Sequence, residues 1–84
     1  MTSAGALRQL GPTRQKLLRA LLGAPQGASV EVLCEALGVT HNAIRQHLTA
    51  LIAAGFVERG SAQASGGRPQ MRYVLLPAGR DLFP

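Results

Sequence analysis

The stretch from Val39 to Val57, V-T-H-N-A-I-R-Q-H-L-T-A-L-I-A-A-G-F-V, leaves the chain little choice of fold. Ile44, Leu48, Leu51 and Ile52 recur at i, i+4, i+7 and i+8, the period of one helical face turned toward a core. Both ends of that helix are written into the sequence. Thr40 stands before the run as a side-chain N-cap. Gly55 stands after it, where a left-handed C-terminal turn is needed, with Phe56 as the apolar residue that packs back. At roughly 100° per residue, His41, Asn42, Arg45, Gln46 and Thr49 fan over a different face, and all five can hydrogen-bond. Asn, Arg, Gln and Thr carried outward on the first turns of a helix match the donor and acceptor patterns of base edges in a DNA major groove. Residues 40–54 are therefore a candidate recognition helix.

The segments before it supply its support. Pro12 sits at a first helical position, where its missing N–H is tolerated, and Leu17, Leu18, Leu21 and Leu22 give two apolar pairs one turn apart before Gly23 ends the helix. Arg14, Lys16 and Arg19 decorate its other side and read as a solvated charged face. After the turn residues 23–27, Ser29 caps a second helix that runs to Leu37, with Glu31 complementing the dipole and Gly38 closing it. Its expected core side is Val32, Leu33, Ala36 and Leu37. Glu31 and Glu35 lie opposite, and acidic residues there argue against that outer face lying on DNA. The order A-L-G-V-T from Ala36 to Thr40 breaks one helix and caps the next, so Ser29 to Ala54 reads as a helix-turn-helix.

Beyond Gly55, Phe56 to Arg59 and Gln70 to Leu75 read as the two strands of an antiparallel hairpin. Between them, residues 60–69 have loop composition and form a wing whose one charge is Arg68, set between Gly66-Gly67 and Pro69. Residues 76–83 restart a helix-like pattern that stops at Pro84. Residues 1–11 read as a flexible arm and 12–84 as one domain. The expected class is mainly α with a small β-hairpin: a winged helix-turn-helix of three helices and a two-stranded wing.

Charge agrees with a polyanionic partner. Nine basic residues against four acidic ones give a net charge of +5, which favours nucleic acid through counterion release. With 4% aromatic residues and no Trp, the core has to come from Leu, Ala, Val and Ile, which suits helices. A lone cysteine, Cys34, excludes an internal disulfide or a multi-cysteine cluster and reads as a half-buried structural thiol in a reducing compartment. No leader pattern or long apolar run occurs, so the expected location is cytoplasmic, without a membrane partner. Four acidic residues and no assembled triad, carboxylate pair or phosphate loop leave little for catalysis, and no enzyme is expected.

The string I-R-Q-H-L-T-A-L-I-A-A-G-F-V-E-R-G resembles the recognition helix and first wing strand of bacterial winged helix-turn-helix regulators of the ArsR-like kind. The later string G-R-P-Q-M-R-Y-V-L-L-P-A-G-R-D-L-F-P is similar to the wing and following segment of SufR-like regulators. The resemblance is taken to extend over about residues 12 to 84. The resemblance implies sequence-specific binding of double-stranded DNA by a transcriptional regulator. SufR-like proteins continue into a cysteine-bearing sensor domain, whereas this sequence stops at Phe83-Pro84. The two options are a DNA-binding piece of a longer parent protein and a regulator lacking that sensor. ArsR-like metal sensors carry a Cys-x-Cys pair on the helix before the recognition helix. Here V-L-C-E-A-L has only Cys34, so neither metal nor cofactor is expected. Most winged-helix regulators act as dimers, which makes a homodimer a further option.

The candidate DNA-binding set is Thr40, His41, Asn42, Arg45, Gln46, Thr49, Arg68 and Arg72. Arg45 and Gln46 are assigned to bases, Thr40 to a phosphate at the helix N-terminus and Arg68 to the minor groove. His47 reads as a packed histidine beside the wing, Tyr73 as packing under it, and Glu58 and Arg59 as pairing across a strand or with solvent. His41 and His47, six residues apart, cannot share a metal from one helix. The competing reading is a winged-helix protein-protein interaction module without DNA binding, which shares the fold and differs in surface charge.

Overall fold

Helix α1, Pro12–Leu22, begins at Pro12, as a ring with fixed φ favours. A computed structural model describes residues 10–60, 63–65 and 68–83, with side-chain surroundings over 10–60 and 71–83. The expected arm therefore lies outside the described residues up to position 9. Leu10 packs against the core. Helix α2, Val30–Leu37, is capped by Ser29 Oγ, which accepts from the Val32 N–H at 3.3 Å. Helix α3, His41–Ala53, is capped in the same way by Thr40 Oγ1, accepting from the Ala43 N–H at 3.1 Å. At its other end the Gly55 N–H donates to Ile52 O and the Phe56 N–H to Leu51 O, both at 3.0 Å. Gly55 has φ 83°, so this is the left-handed closure that its glycine permits.

The core is Leu17, Leu18 and Leu21 of α1, Leu33 of α2, and Ile44, Leu48 and Leu51 of α3, closed by Val57, Leu75 and Leu82. Two expected core positions fall outside it. Leu22 is 41% exposed, because at roughly 100° per residue it lies at the edge of the stripe centred on Leu17, Leu18 and Leu21. On α2 the buried stripe is Val30, Leu33, Cys34 and Leu37, at i, i+3, i+4 and i+7. Val32, 54% exposed, and Ala36 lie on the outer side with Glu31 and Glu35. Cys34 is half-buried, as expected.

The hairpin is longer than its side chains suggest. Strand β1, Val57–Arg59, pairs antiparallel with β4, Tyr73–Leu75, so that Val57 faces Leu75 and Arg59 faces Tyr73. Within the segment expected to be loop, β2, Gln63–Ser65, pairs with β3, Arg68–Gln70. Three residues separate Arg59 from Gln63 and two separate Gln70 from Tyr73, so the two ladders differ in register by one residue. Backbone pairing extends the wing where no apolar alternation announces it, and the Gly66-Gly67 pair between Ser65 and Arg68 is the composition a two-residue connection favours. On its other side Tyr73 exchanges two backbone hydrogen bonds with Ala28, at 2.9 and 3.0 Å, which fastens the wing base to the start of α2. A short helix α4, Pro77–Arg80, follows, with Leu76 before it giving no side-chain cap. The chain is mainly α with a small β-hairpin, a winged helix-turn-helix. Among the described residues no helix is long and apolar enough to cross a membrane.

Candidate nucleic-acid interface

Helix α3 is buried along Ile44, Leu48 and Leu51, and everything it offers outward follows from that anchoring. Thr40, His41, Asn42, Arg45, Gln46 and Thr49 are all exposed. They form two rows. His41, Arg45 and Thr49, each four residues apart, face a groove of about 430 Å³ between α3, the start of α2 and the wing base. Asn42 and Gln46, one position further round, are exposed and do not line it.

The local geometry decides which atoms of these residues remain free. Thr40 Oγ1 uses an acceptor lone pair on the Ala43 N–H, so its hydroxyl proton stays available beside the helix N-terminus. Thr49 Oγ1 donates to Arg45 O at 2.9 Å, which commits its proton within the helix and leaves acceptor capacity outward. The Arg45 and Arg59 guanidinium groups make no hydrogen bond or ion pair among the described residues.

The groove also contains residues outside the DNA-binding set expected from the sequence. Ser29, Val30 and Glu31 come from the start of α2, Leu48 and Ile52 from α3, and Arg59, Met71 and Tyr73 from the wing base. Three basic side chains, His41, Arg45 and Arg59, thus line the groove together with one carboxylate, Glu31, and the apolar Val30, Leu48, Ile52 and Met71. Arg59 is missed by pattern alone because its placement depends on the strand register that sets it opposite Tyr73. The signal available in the sequence is its position three residues beyond Phe56, at the end of a strand leading away from α3.

Two arginines are placed differently from the groove set. Arg72 is half-buried and does not line the groove. Its Cβ lies 3.1 Å from where a Cβ on Gly27 would stand, on the side of the α1–α2 turn. Arg68 begins β3 and pairs with Ser65, and its side chain lies outside the described residues. His47 is half-buried, but against α1 and not beside the wing: its Nδ1 accepts from Arg14 Nε at 3.1 Å. His47 flanks the apolar stripe of α3 on the side away from Arg45, so the wing is out of its reach. Arg14 is correspondingly half-buried rather than part of a solvated face. Tyr73, expected to pack under the wing, is half-buried against the core, while Glu58 and Arg59 are exposed. Among the described residues no three His, Cys, Asp or Glu side chains gather as a metal site would require.

Residues 10–60 match a helix-turn-helix domain family. In structure the chain is similar to RV1404 from Mycobacterium tuberculosis, with a TM-score of 0.78 at 23% identity over 95% of this chain and 56% of that one. It is also similar to a MarR family transcription regulator, with a TM-score of 0.75 at 26% identity over 95% and 52% of the two chains. A mutant of MepR from S. aureus gives a TM-score of 0.78 at 20% identity over 95% and 59%. The chain thus spans just over half the length of these proteins. No curated protein sequence matches it.

Proposed function

This chain belongs to the helix-turn-helix domain family, and from that premise we propose that it is the double-stranded DNA-binding unit of a bacterial transcriptional regulator. Helix α3 lies in the major groove, where Asn42, Arg45 and Gln46 reach base edges, while Thr40 and the helix N-terminus meet a phosphate. The wing lies on the adjacent minor groove or backbone. The observation that carries this reading is the outward face of α3: five exposed hydrogen-bonding residues, with Thr40 as the N-cap before them, on a helix whose opposite side is fixed in the core. A net charge of +5 and the regulators among its structural relatives support it. Residues 44–60 and 67–84 favour the ArsR-like and SufR-like kinds of regulator within that class. Two copies on half-sites about one helical turn apart would multiply the few base contacts that one short helix can make.

A gel shift of random-sequence duplex against rising salt tests the reading. Binding that weakens steeply and log-linearly with salt is the expected result, because neutralised phosphates release counterions. Absence of binding even at low salt would overturn it in favour of the protein-interaction module.

A further inference from the structure

The groove between α3 and the wing base has features that base reading alone does not use: an arginine on β1 with no partner among the described residues, and apolar lining residues. We propose that it is the seat of one sugar-phosphate strand of the duplex, held by Arg59 as a phosphate contact. The proposal rests on the DNA-binding reading above and deepens it.

The argument begins with the shape of the duplex. A single backbone strand separates a major groove from the minor groove next to it. If α3 occupies the first and the wing covers the second, that strand has to cross the gap between them. The gap is this groove, with His41, Arg45 and Thr49 on one wall and Arg59 and Met71 on the other. Its chemistry fits a nucleotide backbone, which alternates a charged phosphate with an apolar sugar face. Arg59 is exposed and makes no hydrogen bond or ion pair among the described residues, so its guanidinium is free for phosphate oxygens. Met71, 42% exposed, lies with Ile52 and Tyr73 in the same groove and presents carbon to the deoxyribose.

The backbone position of Arg59 is fixed through Tyr73. It pairs with Tyr73 across the hairpin, and Tyr73 is itself pinned to Ala28 by two backbone bonds. Glu31, the one carboxylate in the lining, stands at the α2 end and repels the strand toward the Arg59 wall.

The test is a titration of a random-sequence duplex of about 20 base pairs, two helical turns, followed by fluorescence anisotropy over a series of salt concentrations. Arg59→Ala should make the slope of log affinity against log salt shallower by about 0.9; over a roughly fourfold rise in salt the parent then loses about 3-fold to 4-fold more affinity than the variant. Arg59→Lys should keep the parent slope, since a point charge suffices for a phosphate. Glu31→Gln should bind more tightly than the parent at low salt. If the alanine variant melts early, Arg59→Gln retains the stem and serves in its place. A parent-like slope for the neutral variants, with the parent itself binding, overturns the Arg59 seat and leaves the DNA reading standing. A parent that binds no duplex at any salt overturns both.

Discussion

Arg14 Nε donates to Nδ1 of His47 at 3.1 Å, and this bond ties α1 to α3 on the side away from the wing. The acceptor nitrogen has to be unprotonated, so His47 serves here as the tautomer carrying its proton on Nε2. A partly buried side-chain bond of this kind is worth about 0.5–1.5 kcal/mol net. A double-mutant cycle with Arg14→Ala and His47→Ala, read by urea unfolding, should return a coupling of that size. Additive losses would show that the two side chains merely sit close.

Gly79 supplies a second, steric, test. A Cβ at this position would stand 2.6 Å from both Leu75 Cδ1 and Phe56 O. The carbonyl cannot retreat freely, because it accepts from the Leu76 N–H at 2.9 Å. Gly79→Ala should therefore destabilise the fold by about 1–3 kcal/mol, the usual cost of overpacking. The reading is a lowered denaturation midpoint with an unchanged slope. An unchanged midpoint would mean that α4 shifts at no cost.

Helix α2 shows how far a sequence pattern reaches. Its caps, Ser29 and Gly38, are legible because capping needs particular side chains and a positive φ at particular places. Its buried face is less so. Val30, Val32, Leu33, Cys34, Ala36 and Leu37 contain two overlapping apolar stripes, and only the packing of α1 and α3 selects the one with Val30 and Cys34. The outer hairpin is illegible for another reason: β2 and β3 are joined by backbone groups, which leave no residue-type signature, and Pro69 at the centre of β3 argues against a strand there. The exposed row on α3 could be read from helical period. Arg59 could not, since its approach to that row depends on strand register and on the Ala28–Tyr73 bridge, both long-range.

That choice of stripe gives a paired prediction. Leu33 is fully buried, so Leu33→Ala should cost about 2–5 kcal/mol. Val32, one residue earlier and 54% exposed, should tolerate Val32→Ala within about 0.5 kcal/mol. Thermal denaturation of the two variants side by side decides it. Comparable losses would return Val32 to the core.

The wing yields the last prediction, through Arg68. This residue opens β3 beside the Gly66-Gly67 pair and faces Ser65, which puts it at the outer end of the paired hairpin, far from the Arg59 seat at its base. Between Arg59 and Arg68 the hairpin carries no other charge. A narrow A·T-rich minor groove concentrates negative potential, so an arginine inserted there gains more than one laid on an open phosphate. Arg68→Ala should weaken binding most on duplexes whose flanks are A·T-rich. It should also make the salt slope shallower by about one phosphate equivalent. The comparison needs two duplexes with the same centre, one with A·T and one with G·C flanks, each titrated with parent and variant. Equal losses on both flanks would reduce Arg68 to a backbone contact, and no loss on either would remove it from the interface. A loss confined to A·T flanks, with the Arg59→Ala defect indifferent to flank composition, would separate groove reading at the wing tip from strand holding at its base.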